Sequence, residues 1–388
     1  MTQAVRHDSM RARNLGVVLH EIRRSGPITR AALAEITGLT KTTVSKMVGD
    51  LLGGGMVVES GALREGERGR PGTAVSLSGD RVAALGLEIG VDHLSACVVD
   101  LTLSVRLRRT QAVDNRSTSP VETLHHLRKL AHRAVDEARS KGLVIAGSTL
   151  AVPGPVDDGL LRAAPNLGWR DVRVGDLLDF PVTVENEANL AALGELWFGS
   201  GHDDFLHVSG EANIGAGLVV GGALFRGARG HAGELGHVIV SPGGPACHCG
   251  GRGCLEQYAG QEALLKAADV LGGIPELVER LRGGETTALR ACDRAGQALG
   301  VALTSAVRLT DPGAIVLGGI FAPLFPWIGG RTRDMLTARL AGTRQAVPGL
   351  GVSRLGGAAA TLGAAGQVIH RIIADPGAHL TTTRPGTA

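Results

Sequence analysis

One imidazole and three thiols fall within a single short segment, His237-x9-Cys247-x-Cys249-x4-Cys254, and no other feature of this chain restricts its folding as tightly. Three thiolates and an imidazole suit a tetrahedral zinc ion. They leave no coordination position open, which marks a structural rather than a catalytic metal site. Glycines 250, 251 and 253 let the backbone turn closely around such an ion. His248 lies between two of the cysteines and would point away from an ion that they share. The spacing does not match a Cys2His2 finger. Cys97 and Cys292 sit in apolar segments and read as small buried hydrophobes. With three of the five cysteines in one run, the chain is not a disulfide framework.

The metal run is a small part of a long chain. At 388 residues, 44% of them hydrophobic, the sequence can bury a sizeable core and exceeds the usual size of one domain. Net charge is only +3, but residues 1–78 hold 11 Lys/Arg against 7 Asp/Glu, which is +4 and leaves about −1 for the rest. A basic N-terminal part before a neutral body points to an attached nucleic-acid module. The opening MTQAVRHDSMRARN has no apolar run behind its charges, and no stretch of about 18 apolar residues follows. The expected location is cytoplasmic.

Residues 11–23 carry Leu15, Val18, Leu19 and Ile22 on one helical face. Thr29 and Thr40 suit the N-caps of two further helices, the second from about Lys41 to Leu52 with Val44, Met47, Val48 and Leu51 inward. GGGMVVESG and TAVSLS read as two strands of a wing, joined through LREGERGRPG. Three helices and a wing make a winged helix-turn-helix over residues 1–78. Its second and third helices are set to place a recognition helix against double-stranded DNA. The residues presented are Thr40, Lys41, Thr42, Thr43, Ser45 and Lys46, short polar and basic groups that reach phosphates and base edges. The stretch from Thr37 to Gly49 holds no acid. In the wing, Arg64, Arg68 and Arg70 flank a Gly/Pro hook, and Arg70 suits insertion into a narrow minor groove. An ordinary three-helix unit with solvated lysines is the blander alternative.

From Arg81 the pattern becomes α/β. RVAALGLEIG and HLSACVVDLTL are strand-like, VETLHHLRKLAHRAVDEARS is an amphipathic helix, and LVIAGSTLAVPGPV is a strand running into a Gly/Pro loop. The order recurs after residue 203, with helices at 261–269 and 286–308 and the strand AIVLGG. Two α/β lobes account for this: 83–200, completed by a C-terminal helix at 358–373, and 201–357 with the zinc site. Residues 374–388 read as a disordered tail.

The runs GALFRGARGHAGELGH and CHCGGRGCLE resemble the signature of the ROK family of repressors, open reading frames and kinases. APNLGWR, VENEANLAALGE, VLGG and the closing LGAA helix extend the likeness over about residues 10–373. The resemblance implies an actin-like, two-lobed sugar-kinase body, preceded in the repressor branch by a winged helix-turn-helix. It also implies that zinc orders a sugar-binding loop and that the sugar contacts are Asn186, Glu187, Glu234, His237 and Glu256. Carboxylates and an amide each grip adjacent hydroxyls, which agrees with that assignment.

Kinases of the family open the first lobe with an Asp-x-Gly-Gly-Thr phosphate loop. This chain has Glu88-Ile89-Gly90-Val91-Asp92. The second loop is Glu211-Ala212-Asn213 in place of Gly-Thr-Gly, an anion where another anion would bind. Glu187 replaces the usual Asp base and moves the carboxylate by about one methylene, and a misplacement near 1 Å costs roughly 10²-fold. The expectation is a sugar-responsive DNA-binding regulator, a repressor with no phosphoryl-transfer activity, acting as a homodimer or homotetramer on an operator. Its effector would be a sugar or sugar phosphate. A sugar kinase with an added DNA-binding domain and a protein-interaction module on an inert kinase body are the competing readings.

Overall fold

A computed structural model describes residues 7–63, 72–199, 201–211, 213–343 and 346–380. Helix α1 (His7–Ser25) buries Leu15, Val18, Leu19 and Ile22, the stripe that its helical period places on one side. After β1 (Ile28–Thr29), helix α2 (Arg30–Thr37) begins where the Thr29 hydroxyl accepts from the Ala32 N–H at 3.2 Å. Helix α3 (Lys41–Gly53) begins in the same way, with Thr40 accepting from the Thr43 N–H at 3.2 Å, and buries Val44, Met47, Val48 and Leu51. Strands β2 (Val57–Leu63) and β3 (Gly72–Leu77) pair antiparallel and make a small sheet in the order β1-β3-β2. This is a winged helix-turn-helix. Arg64, Arg68 and Arg70 lie outside the described residues.

The first lobe starts with an antiparallel meander of β4 (Val82–Ile89), β5 (His93–Asp100) and β6 (Val105–Ala112). Helix α4 (Pro120–Ser140), capped by the Ser119 hydroxyl at 3.3 Å from the Glu122 N–H, crosses to β7 (Val144–Val152). A separate small sheet follows, of β8 (Val156–Asp157), β9 (Leu160–Ala164) and β10 (Trp169–Val172). Strand β11 (Thr183–Asn186) returns to the main sheet, giving the order β11-β7-β4-β5-β6, and helix α5 (Glu187–Phe198) leaves from its end.

The second lobe repeats this plan. Its meander is β12 (Phe205–Gly210), β13 (Ile214–Val220) and β14 (Ala223–Phe225). The metal segment follows, then helices α6 (Glu256–Ala259), α7 (Gln261–Ala267), α8 (Gly273–Arg282) and α9 (Thr286–Thr310). Strand β15 (Ala314–Gly319), helix α10 (Phe321–Leu340) and strand β16 (Gly349–Val352) complete the order β14-β13-β12-β15-β16. In both sheets two parallel strands extend the sheet on the side of the first meander strand away from the meander. The β4–β5 turn and the β12–β13 turn are therefore equivalent positions, one in each lobe.

Helix α11 (Ala359–Ala374) packs on β4, β5 and β7 and on α5. The α5–α11 crossing is close enough that a Cβ at Gly363 would stand 1.8 Å from the Leu190 carbonyl oxygen, so glycine is required there. One hydrophobic core joins the N-terminal module to the body: Leu15, Leu19 and Val48 share it with Ala84, Cys97, Ile369 and Ile373. Within the stretch 374–388 expected to be a disordered tail, helix α12 (Gly377–Leu380) places Leu380 against the same core, and residues 381–388 lie outside the described residues.

Candidate effector site and metal centre

The four expected ligands come together. The ligand atoms of His237, Cys247, Cys249 and Cys254 all lie within 4.8 Å of one another. Zinc–sulfur bonds of about 2.3 Å at tetrahedral angles require sulfurs roughly 3.8 Å apart, and Cys249 Sγ to Cys254 Sγ is 3.7 Å. His237 turns Nδ1 to Cys247 Sγ at 3.7 Å and leaves Nε2 facing Glu234 Oε2 at 3.9 Å. The donor set and its edges fit a closed zinc site, with the second imidazole nitrogen left for a ligand or a carboxylate. The loop is held by Cys247 N–H to Gly251 O at 2.9 Å and Gly253 N–H to Pro245 O at 2.8 Å. Gly253 takes a left-handed φ of 74°, and a Cβ there would meet the Ser241 carbonyl oxygen at 1.8 Å. His248 is exposed and stands outside the cluster.

Two of the expected sugar contacts adjoin the metal segment. Glu234 precedes the single helical turn Leu235–His237, and Glu256 opens α6 directly after Cys254 and Leu255. Glu256 Oε2 is buried with no hydrogen-bond partner. Burial raises its carboxyl above the ordinary value, opposed by His237. Asn186 is largely committed to the fold. Its Oδ1 accepts from the Asn189 N–H at 3.1 Å as the cap of α5, and its Nδ2 donates to Gly154 O at 3.0 Å. One N–H and one lone pair remain for a ligand. No hydrogen bond among the described residues joins Asn186 or Glu187 to the Glu234–His237–Glu256 group.

Glu187 lines the cleft between the lobes, where the two equivalent turns meet. Glu88 from β4, Glu187 from α5 and Glu211 after β12 line one narrow cavity with His207. Glu88 is 3% exposed and its Oε2 has no partner. The Glu187 carboxyl is raised well above its ordinary range, first by burial and then by Glu211 and Glu88. Burial and the Glu88 charge push Glu211 up to about 7. The sequence reading missed the group that offsets these charges. His93 lies against Gly90, 2.9 Å from Asp92 Oδ1 and 3.7 Å from Glu88 Oε1, and those two acids raise it to about 10. Its only signal in sequence was a histidine directly after Asp92, the one acid of the turn that follows β4. His207 is fully buried with both ring nitrogens unpartnered, and burial lowers it to about 4. The lobes are further tied by Arg226, which donates to Glu185 Oε2 at 3.0 and 2.9 Å, and by Asn166 Nδ2 donating to Asn213 Oδ1 at 2.8 Å.

On the N-terminal module Lys41, Thr42, Ser45 and Lys46 are exposed at the start of α3. Thr40 and Thr43 hydrogen-bond each other at 2.8 Å, so their hydroxyls serve the cap. Met10, Arg11 and Asn14 of α1 share a groove with Thr42, Thr43 and Lys46, and Arg11 is paired with Asp50 at 2.8 Å. The groove adds Arg11 and Asn14 to the candidate DNA-facing groups.

Residues 84–370 match the ROK family and residues 17–66 match the MarR family. The chain is 32% identical over 339 residues to the xylose repressor of Bacillus subtilis, covering 84% of this chain and 87% of that protein. The crystal structure of a ROK family transcriptional regulator, a homolog of the Escherichia coli MLC protein, superposes with a TM-score of 0.77 at 23% identity. That likeness covers 96% of this chain and 98% of the other, and shows a common fold. A ROK family glucokinase from Streptomyces griseus in complex with glucose and AMPPNP aligns over 74% of this chain and 98% of its own, with a TM-score of 0.63 and 29% identity.

Proposed function

The chain belongs to the ROK family, in its repressor branch with an N-terminal winged helix domain, and from that premise we propose that it is a sugar-responsive transcriptional repressor without phosphoryl-transfer activity. The carrying observation is the continuous core between the DNA-reading module and the sugar-kinase-like body. Such a core ties the position of α3 to the state of the lobes. The repressor reads a double-stranded operator through Lys41, Thr42, Ser45 and Lys46, with Arg70 of the wing as a further contact. It binds as a homodimer or homotetramer, since symmetric repressors read paired half-sites. It acts in the cytoplasm. No helix among the described residues is long and apolar enough to cross a membrane.

The effector is a sugar held by Glu234, His237 and Glu256, with Asn186 and Glu187 approaching from the other lobe. One structural zinc ion on His237, Cys247, Cys249 and Cys254 fixes the segment that carries the first three. His237 through Nδ1 and the three thiolates would hold the zinc, which would supply a rigid clip and leave His237 Nε2 for a hydrogen bond. The rest of the chemistry lies in this chain's hydrogen-bonding groups.

The electrostatics of the cleft support the absence of phosphoryl transfer. A nucleotide's phosphates would face Glu88, Glu187 and Glu211, and His93 already serves as their internal cation. Two like charges at about 4 Å repel by roughly 4 kcal/mol at an effective dielectric near 20. The decisive experiment measures operator affinity and MgATP turnover on one preparation with a panel of sugars. A sugar that releases operator without turnover is the expected result. A turnover of about 1 s⁻¹ or faster, within the usual enzyme range, would establish the sugar-kinase reading instead.

A further inference from the structure

Of the groups assigned to the sugar, Glu256 lines a cavity of about 350 Å³ that Glu234 and His237 do not line. It lies between the metal loop, α6, α7 and α9, and the hydrogen-bonded pair Asn166 and Asn213 borders it. Pockets of roughly 300–1,000 Å³ take drug-sized ligands, so this space exceeds what one pyranose ring requires. Its wall is built for hydroxyl groups. Asn166, Asn213 and Gln257 each offer a carboxamide, which can donate and accept at once, and Tyr258 adds an aromatic face.

The charges on this wall identify the class of ligand. Lys266 and Arg294 line it, and neither forms an ion pair among the described residues. Glu256 and Glu262 lie on the same wall, so two formal positive charges meet two negative ones. A site for a phosphate or carboxylate would carry surplus positive charge. A balanced wall with unpaired acids and bases instead suits adjacent hydroxyls of an uncharged ligand, which accept from the cations and donate to the carboxylates.

We infer that this cavity is a second-ring subsite and that the effector is an uncharged glycoside of at least two sugar units. One ring lies at Glu234, His237 and Glu256, and the next lies against Gln257, Tyr258, Lys266 and Arg294. The inference rests on the sugar-receptor reading above and narrows it.

Calorimetry on the full-length protein tests it with xylose against xylobiose, and with glucose against maltose, cellobiose and glucose 6-phosphate. At least one disaccharide should bind about tenfold or more tighter than its monosaccharide. Ala263→Phe, which fills the cavity from α7, should remove that gain and leave monosaccharide affinity within about twofold. Arg294→Ala, on the exposed face of α9, should reduce the gain without risk to folding. Monosaccharide binding with no gain from any second ring would overturn this inference alone, as would a gain that survives both variants. Glucose 6-phosphate binding tighter than every disaccharide would overturn it in favour of an anionic effector. Silence from every sugar would overturn the receptor reading as well.

Discussion

Trp197 at the end of α5 stacks on His370 of α11, ring centroids 4.0 Å apart and planes 18° apart, while the Arg23 guanidinium of α1 lies 3.2 and 2.9 Å from the two ring nitrogens. The other end of α5 is Glu187, in the cleft. One helix therefore has its first residue in the cleft and its last turn on His370, the ring that Arg23 of the DNA-reading module also contacts. Burial and the adjacent Arg23 lower His370 to about 3, so it is a neutral ring that accepts from the guanidinium at physiological pH.

Trp197→Ala and His370→Ala should therefore uncouple the two sites while leaving each intact. Allosteric coupling is commonly worth about 1–3 kcal/mol, or roughly 5–150-fold in affinity. Operator affinity measured by anisotropy with and without effector should differ by less than about twofold in either variant, with sugar affinity close to that of the parent. Trp197→Phe, which keeps an aromatic face, should retain most of the response. Full effector release in both alanine variants would show that α5 does not carry the coupling.

Cys249→Ser should remove zinc and, with it, sugar binding, because the clip holds Glu234, His237 and Glu256 in place. Elemental analysis should find about one zinc per parent chain and far less in the variant. A metal-free preparation that binds sugar normally would refute the role given to the ion.

Lys46→Ala should weaken operator binding by a similar factor across sequences and lower the salt slope by about 1, as expected for the loss of one phosphate contact. A sequence-selective loss with an unchanged salt slope would identify a base contact instead. The same titration on Arg11→Ala reports whether the α1 side of the groove touches DNA.

Glu211→Gln should raise thermal stability at pH 8 and have little effect at pH 5. The Glu211 pKa is raised in the folded state to about 7. The folded protein thus holds a proton that the unfolded chain has lost, and the associated stability is full below about 4.5 and disappears as pH rises through 7. His93 is raised as well, to about 10. Its contribution is complete below about 6.5 and is lost only near pH 10, so His93→Gln should destabilise at neutral pH. Parallel melting curves for parent and Glu211→Gln across pH 5–8 would remove the cleft-charge argument.

The winged module was legible in the sequence because each of its signals is local. Thr29 and Thr40 sit at caps, and the buried stripes follow a helical period. The gathering of His237, Cys247, Cys249 and Cys254 was legible because metal-binding chemistry restricts the spacing of such groups. The parts that were not legible depend on distant contacts or on weak patterns. Strand β6 is an edge strand with most of its residues exposed, so it shows no alternation of apolar and polar positions. Helix α10 carries Pro326 and the pair Gly329-Gly330, which read as breakers, yet it is held along one side of α9. His93 and His207 gain their roles only once the two lobes bring Glu88 and Glu211 together. Arg70 and the rest of the wing tip lie outside the described residues.

The shared core has a consequence for the order of events during synthesis. The DNA-reading module is made well before Ile369 and Ile373 of α11, which cover one side of its core. A nascent chain exposes that apolar side until α11 leaves the ribosome, and a chain that ends early never covers it. Only a protein translated through α11 closes the core beneath its reading head.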